Sequence, residues 1–375
     1  MNTTVTIRTP AAHARRPIHR GLRLARRCDR ADSLRRADGF TLIELMVSIA
    51  VIGIIAAFLA GAVFAAQEAG RKADTEALIA KLHSQMAMRW EDYATRRVGI
   101  SPTFQQNVFS SFGAGAAQQA GVLAAMRVLA IQEMMRFELP DQYIDIVNPM
   151  QPDQPPATTA LRAVPSLNSA YRRRISRQVV EADGISWSDA YQKIAAANQS
   201  SECLYLIMTT GMIDETSGGE YFTDSDVGDT DDDGMLEFVD GWGRPIEWIR
   251  WPTAFVSDLQ PDPSGGNLAP DPFNPTHVDE QTLTSNGARP NRAVFGYRLT
   301  PLIVSLGRDG YEGIHFVWYD PKSPNAEILA KANDPYGVIN DADYGDIQRG
   351  QVRPDPEQQD RSYEDNVHNH LVGTR

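Results

Sequence analysis

The sequence predicts an α+β fold in which one long N-terminal helix packs on a small antiparallel β-sheet, with further helices inserted between them. Three observations lead to this prediction. Residues 45–66 are apolar and uncharged, and residues 71–98 continue without Pro or Gly in an amphipathic pattern. Helical patterns recur through residues 99–210. Short aromatic and β-branched runs typical of strands follow residue 245.

The apolar segment has the length of a membrane helix. Residues 45–66 are long enough to cross about 30 Å of hydrocarbon. Residues 1–39 contain ten Arg and three Asp, whereas Glu68 and Asp74 lie among the first charges on the other side. The positive-inside rule therefore predicts a single-pass protein with its N-terminus in the cytoplasm and its C-terminal part outside it.

The start of this segment carries a specific motif, Gly39-Phe40-Thr41-Leu42-Ile43-Glu44, directly after the Arg-rich leader. Glycine lets the backbone enter a protease site without a side chain, and Phe40 begins the apolar helix. A carboxylate inside a membrane helix costs about 3 kcal/mol unless it is paired, so Glu44 should have a partner. The junction resembles the class III signal of type IV pilins and type II secretion pseudopilins.

This resemblance implies a set of partners and modifications. Prepilin peptidase would cut after Gly39, the new amine of Phe40 would be methylated, and Glu44 would pair with the amine of a neighbouring subunit. The partners would be identical or related pilin-like subunits, the inner-membrane assembly platform and membrane lipid. The alternatives are an accidental Glu at the edge of a signal anchor, or a signal peptide cut near residues 63–66.

The resemblance also gives the long helix and the sheet a role in a pilin-like fold. The long helix would be the filament spine, and the sheet would form a head. The predicted segments are a cleaved basic leader (1–39), a transmembrane and filament-core helix (40–66), an amphipathic stem helix (67–98), a helical insertion (99–210), an acidic loop with an antiparallel β head (211–349) and a disordered polar tail (350–375).

A second pattern lies at residues 229–240, within the acidic segment of the head. From here on, the acidic loop means these twelve residues. Acids at positions 1, 3, 5, 9 and 12 and Gly at position 6 match an EF-hand-type calcium loop. The predicted ligands are Asp229, Asp231, Asp233, the carbonyl of Met235, Glu237 and Asp240. A solvated acidic loop, another cation and a basic partner surface are the alternatives.

Two further stretches resemble the head of the major type II secretion pseudopilin, where such loops surround a calcium ion. They are the turn at residues 240–245 (Asp-Gly-Trp-Gly-Arg-Pro) and residues 305–310 (Ser-Leu-Gly-Arg-Asp-Gly). The resemblance makes Ser305 and Asp309 candidate loop or calcium-site residues. The alternative is a glycine-rich hairpin turn in which Asp caps its own backbone.

The composition bears on the remaining classes of function. The net charge of the whole chain is −12 although its leader is basic, so no nucleic acid is expected on the mature head. Cys28 lies in the leader, which leaves Cys203 without a disulfide partner in the mature chain. No catalytic constellation has usable spacing, so an enzyme is not expected.

The predicted function is therefore that of a structural subunit in a type II secretion pseudopilus-like filament. The alternatives are a minor type IV pilin for adhesion, motility or DNA uptake, and a membrane-anchored calcium-binding surface protein.

Overall fold

A computed structural model describes residues 40–112, 116–210, 212–213, 216–260, 269–274, 296–311, 313–341, 345–353 and 366–372. The predicted leader, including Gly39, lies outside these residues. The chain divides into two units, residues 1–60 and residues 61–375, which are described separately. A long apolar N-terminal helix, additional helices and small antiparallel sheets confirm the α+β prediction and are compatible with a pilin-like fold.

Helix α1 covers Leu42–Asp92. Within the first unit every described residue is exposed, and these residues are almost all apolar. Within the second unit α1 turns one face into the core, with residues spaced mostly four apart as a helix stripe requires: Leu78, Ile79, Leu82, Met86 and Trp90.

The predicted stem helix to residue 98 is too long, because α1 ends at Asp92 and the chain turns at residues 93–95. Contacts with the next helical layer follow at once. The hydroxyl of Tyr93 donates to the carboxylate of Glu138 at 2.8 Å, and the guanidinium of Arg96 binds the same carboxylate at 2.6 and 2.9 Å. These contacts hold the chain in a non-helical path beside Glu138.

The helical insertion forms several short helices. Their bounds are α2 Pro102–Phe112, α3 Ala116–Glu138, α4 Ser166–Ile175, α5 Glu181–Asp183, α6 Trp187–Ile194 and α7 Gln199–Thr209. A 3-10 turn covers Tyr143–Asp145, and a π-helical segment covers Ser176–Val180 between α4 and α5. The predicted helical run from 186 to 210 is divided, because Asn198 before α7 adopts a left-handed backbone conformation, φ +46°.

The strands are short and antiparallel. They are β1 Met212–Ile213, β2 Thr216–Ser217, β3 Val227–Gly228, β4 Glu237–Phe238, β5 Ile246–Ile249, β6 Leu302–Ser305, β7 Ile339–Asp341, β8 Gly345–Ile347 and β9 Val367–His368. The central sheet has the order β5-β6-β9, with Trp248 opposite Ile303 and Val304 opposite His368. Every residue of β5 and β6 is buried, so this sheet lies inside the core.

Two predicted strands of the head differ from the structure. Residues 314–319 form one isolated bridge, between Ile314 and Val352, rather than a strand. Of the run at 293–299 only residues 296–299 are described, and there Tyr297 bridges Pro270. The described residues of both runs include buried apolar side chains, and burial alone does not require a continuous ladder.

The prediction of a disordered tail is wrong for residues 366–372. Helix α8 covers Ala326–Ala330 earlier in the chain. In the tail, Val367 and His368 form β9, and the short helix α9 covers Asn369–Val372. Asn369 accepts a hydrogen bond from the amide of Ile303 at 2.8 Å and donates to the carbonyl of Pro301 and to His83 Nδ1, both at 2.9 Å. The segment is polar, but its polar groups are satisfied inside the protein.

Two imidazoles of this segment give a prediction about pH. Burial lowers the pKa of His368 to about 4, and burial, followed by the charge of His368, lowers that of His370 to about 4. In the unfolded chain these groups titrate near pH 6.5, so between about pH 6.5 and about pH 4 the unfolded state binds more protons. The contribution of the two imidazoles to the free energy of unfolding should therefore be fully present above about pH 6.5 and decrease as the pH falls. For each imidazole the total decrease is about 1.4 kcal/mol per unit of difference between its folded and unfolded pKa.

The measurement is the melting temperature of wild type and of the double variant His368→Phe/His370→Gln between about pH 7 and about pH 4.5. The difference between the two proteins isolates the imidazoles, because other titrating groups are common to both. A difference that stays constant across this range would contradict the prediction.

A buried ionic network lies directly after β5. Arg250 is fully buried, and its guanidinium pairs with Asp145 at 2.9 Å and with Asp141 at 3.1 Å. Arg136 binds the other oxygen of Asp145 at 2.5 Å. Burial alone would raise the pKa of Asp145, but the charge of Arg250 and then that of Arg136 outweigh burial and lower it. Arg250 also donates to the carbonyl of Leu139 at 2.7 Å, and so binds the chain just past α3.

The turn at residues 240–245 lies against helix α1. The amide of Gly241 donates to Thr75 Oγ1 at 2.9 Å, and the indole of Trp242 donates to the carboxylate of Glu68 at 3.1 Å. A Cβ on Gly241 would lie 2.3 Å from the backbone oxygen of Arg71. Only glycine fits here, since the main chain of a helix cannot move aside as a flexible side chain can.

Candidate functional site

Two places in the chain carry the predicted site residues. The first is the start of α1. Phe40 is 78% exposed. The side chain of Glu44 accepts from the amide and the hydroxyl of Thr41 at 3.4 and 3.3 Å, while Thr41 Oγ1 accepts from the amide of Glu44 at 3.2 Å. This reciprocal pair is a capping box with Thr41 as N-cap, so Glu44 has a local partner within its own chain.

The helix that follows has the composition of a membrane span. Among the described residues, α1 is the one helix that is long and apolar enough to cross a membrane, and none of its most apolar stretch is buried in the protein. Its exposed large side chains include Ile43, Met46, Ile52, Phe58 and Phe64. Such a surface needs lipid or other apolar helices around it.

The second place is the acidic loop, where backbone geometry turns the chain back on itself. The two carboxylate oxygens of Asp229 accept the amides of Asp233 and Gly234, both at 3.1 Å. Asp232 and Gly234 adopt left-handed conformations, with φ of +59° and +94°. Gly at the sixth position permits this turn, as the sequence predicted, and the turn directs Asp231 and Asp233 to one side.

The structure brings a carboxylate from outside the loop to the same point. This residue is Glu202 of α7. One carboxylate oxygen of Glu202, one of Asp231 and one of Asp233 lie within 4.8 Å of one another. Glu202 is fully buried and Asp233 is 4% exposed. Sequence reasoning missed Glu202. The available signal was a charged residue directly before the apolar run 203–208, because a carboxylate that is buried with such a run requires a partner.

Four carboxylate oxygens of this region are buried without a hydrogen-bond partner among the described residues. They belong to Glu202 (Oε1), Asp231 (Oδ1), Asp233 (Oδ2) and Glu237 (Oε2). The opposite oxygens of three of these groups are bound: Tyr143 donates to Glu202, the amide of Met235 to Asp233 at 2.7 Å, and the amide of Thr230 to Glu237 at 2.6 Å. Each of these three carboxylates is therefore held in orientation while one of its oxygens stays unsatisfied.

The electrostatics of these groups reflect their burial. Burial raises the pKa of Asp233 to about 6 and that of Glu237 to about 7. Burial, followed by the charge of Asp233, raises the pKa of Glu202 well above its usual range. The pKa of Asp231 is raised as well, by burial and then by Asp229. Burial away from water and repulsion between neighbouring carboxylates both disfavour the ionised forms of these groups.

Asp240, predicted as the twelfth-position ligand, has a different role in the structure. One of its oxygens accepts the amides of Trp242 and Arg244 at 2.8 and 3.0 Å, and the other accepts the hydroxyl of Ser305 at 2.6 Å. Asp240 therefore holds the turn at residues 240–245 onto β6. An Asp side chain is short, and here it satisfies the amides two and four residues further on.

The other predicted residues are placed as follows. Ser305 lies in β6, and the amide of Gly307 donates to its hydroxyl at 3.1 Å. Asp309 accepts the amide of Tyr311 at 2.9 Å in an exposed turn. The side chain of Met235 is fully buried in the core, and its carbonyl as a ligand stays a prediction.

Comparison with known proteins identifies the N-terminal motif. Residues 34–60 match the family model described as the prokaryotic N-terminal methylation motif. No curated protein and no solved structure shows significant similarity to the chain. The matched residues end within α1, so the chain carries a class III signal followed by a long apolar helix, as prepilin-type proteins do.

This finding confirms the resemblance seen at Gly39-Phe40 and Glu44. The motif supports a pilin-like or pseudopilin-like protein that is processed as a prepilin, and it implies processing by prepilin peptidase and assembly with pilin-like subunits. The motif is typical of structural pilin-like proteins and not of an enzyme family. The apolar helix that follows it suggests that the protein is anchored in a membrane.

Proposed function

We propose that the protein is a structural subunit of a type II secretion pseudopilus-like filament. The observation that carries this proposal is the class III signal at residues 34–60, which continues into a helix whose apolar side chains are exposed over residues 42–64. Identical copies that pack such helices side by side in a head-to-tail arrangement form an open helical filament.

The life of the subunit would begin in the inner membrane. The Arg-rich leader stays in the cytoplasm, the helix spans the membrane once, and residues 67–375 lie on the far side. Prepilin peptidase removes residues 1–39, the amine of Phe40 is methylated, and the assembly platform draws the helix out of the lipid into the filament.

Glu44 guides this assembly in the proposal. In the single chain its carboxylate binds Thr41, at 3.3 and 3.4 Å, which are long hydrogen bonds. The amine of Phe40 on a neighbouring copy is a stronger partner, because both groups are charged. Exchanging the local contact for the intersubunit pair would give each added subunit its axial register.

The experiment is the intact mass and N-terminal sequence of the protein from membranes, with and without prepilin peptidase. We expect an N-terminus at methylated Phe40 that depends on the peptidase. The variant Glu44→Gln should be processed but incorporated poorly into filaments, whereas Thr41→Val, which removes only the local hydroxyl, should be incorporated. A chain that stays uncut, or that is cut near Ala65, contradicts the proposal.

A minor type IV pilin is the alternative within the same class. Loss of the gene would then remove surface pili or DNA uptake and leave protein secretion intact, whereas a secretion pseudopilin would show the reverse.

We also propose that the acidic loop binds calcium. The supporting observation is the set of buried carboxylate oxygens without partners described above, because hard cations such as Ca²⁺ prefer oxygen ligands. The loop spacing at Asp229, Asp231, Asp233 and Glu237 is compatible with this proposal.

A further inference from the structure

We propose that Glu202 of helix α7 is a ligand of this calcium ion together with Asp231, Asp233 and Glu237, so that ion binding joins the helical insertion to the acidic loop. The inference rests on the proposed calcium binding, and it changes the ligand set that the loop spacing predicts. One ligand comes from outside the loop, and Asp240 is not a ligand.

The first argument is geometric. The oxygens of Glu202, Asp231 and Asp233 lie within 4.8 Å of one another, and Ca²⁺ ligands at about 2.4 Å from the ion are separated by at most about twice that distance. This spacing is compatible with a single ion between the three oxygens. Glu237 lies on β4 within the same loop, and its oxygen without a partner is also buried.

The second argument is the charge of the site. Among the described residues, no ion pair involves any of these four carboxylates. The nearby ammonium of Lys193 binds Asp183 at 2.9 Å on the exposed side of the insertion. Buried carboxylates without a cationic partner, each with one oxygen that no donor satisfies, are costly, and a divalent cation would supply both the positive charge and a partner for those oxygens.

The third argument is the rigidity of Glu202. The hydroxyl of Tyr143 donates to its Oε2, and Tyr143 is fully buried in the 3-10 turn that also contains Asp145. Glu202 Oε1 is therefore the oxygen left for another ligand, and its position is fixed by the core rather than by the loop. A ligand held in this way by a second residue is pre-organised for a metal ion.

The inference has a structural consequence. Helix α7 belongs to the helical insertion, whereas the loop belongs to the head, and the ion would be a direct ligand-to-ligand connection between them. Calcium should then protect residues 229–237 from proteolysis and raise the melting temperature of the second unit, since a ligand that binds only the folded state stabilises it.

The test uses the processed full chain in detergent. Tyr143 lies beside the proposed ion, so Tb³⁺ bound there should show luminescence sensitised by this tyrosine, and Ca²⁺ should displace it. We expect Glu202→Gln, which keeps an acceptor for Tyr143, to weaken Ca²⁺ affinity on the order of tenfold to a hundredfold, because it removes one ligand charge.

The matched control is Asp232→Asn. It removes one negative charge from the same loop, at an exposed position whose left-handed conformation suits Asn. Its Ca²⁺ affinity should stay within about threefold of wild type.

The outcomes separate the two proposals. Unchanged Ca²⁺ affinity in Glu202→Gln, with binding lost in Asp233→Asn, would overturn the role of Glu202 and leave a loop-only calcium site. Wild type that binds neither Tb³⁺ nor Ca²⁺ would overturn calcium binding altogether. Neither result bears on processing at Phe40, which the mass measurement decides.

Discussion

Replacing Arg250 with Met should destabilise the second unit by about 3–5 kcal/mol, which is the usual cost of removing one partner from a buried ion pair. Asp141 and Asp145 would be left with their charges buried, and only Arg136 would still pair with one of them. The variant would also lose the hydrogen bond to the carbonyl of Leu139. Chemical denaturation of the processed chain, followed by circular dichroism, measures the loss.

The control for this prediction is a salt bridge at the surface. Lys193 and Asp183 pair at 2.9 Å, but their side chains are 36% and 42% exposed. Lys193→Met should therefore cost less than about 1 kcal/mol. If both variants lose the same amount of stability, burial of the Arg250 network is not what makes it important.

Replacing Gly241 with Ala should have the second largest effect, a loss of about 3 kcal/mol, which is the upper end of the usual cost of overpacking. The added Cβ would lie 2.3 Å from the backbone oxygen of Arg71, and the turn can relieve this contact only by moving away from α1. Such a movement also breaks the hydrogen bonds from Gly241 to Thr75 and from Trp242 to Glu68.

Gly243 provides the comparison within the same turn. Nothing lies within 4 Å of a Cβ built there, and its φ of +79° is a conformation that Asn tolerates better than most residues. Gly243→Asn should keep a melting temperature close to that of wild type. An Ala at 241 that is tolerated equally well would show that the turn is not in close contact with α1.

The sequence was most informative where function depends on local order along the chain. The signal at Gly39-Phe40, Glu44 and the apolar run of α1 can be read directly, because a protease and a membrane both recognise a continuous segment. The turn of the acidic loop was also readable, since Gly234 and the alternating acids are local features.

Long-range contacts limited the prediction of the site. The packing of α7 brings Glu202 to the acidic loop, and no feature of the sequence around Glu202 indicates this contact. Asp240 matches the spacing of a calcium loop, but its oxygens accept hydrogen bonds from the hydroxyl of Ser305 and from two amides of its own turn. Local spacing therefore predicts which residues can be ligands, and tertiary packing selects among them.

The tail and Arg250 were misjudged for a related reason. Polar composition suggested disorder at residues 366–370, yet all five are buried and Asn369 makes three hydrogen bonds inside the protein. Arg250 lies in an aromatic run that predicted a strand but gave no partner for the guanidinium, because Asp141 and Asp145 come from more than a hundred residues earlier. Polar residues can be buried when distant partners satisfy them, and composition does not reveal those partners.

The position of β9 in the sheet sets an order of events during synthesis. Val304 of β6 pairs with His368, and Asn369 also reaches back to His83 on α1. The ribosome must therefore add residues up to 369 before β9 can pair with β6. Until then one edge of β6 stays unpaired, although the strand with its apolar side chains has already been synthesised. Exposed strand edges of this kind invite wrong pairing between nascent chains. A chaperone that holds the unfinished polypeptide would protect the interval between the emergence of β6 and that of β9.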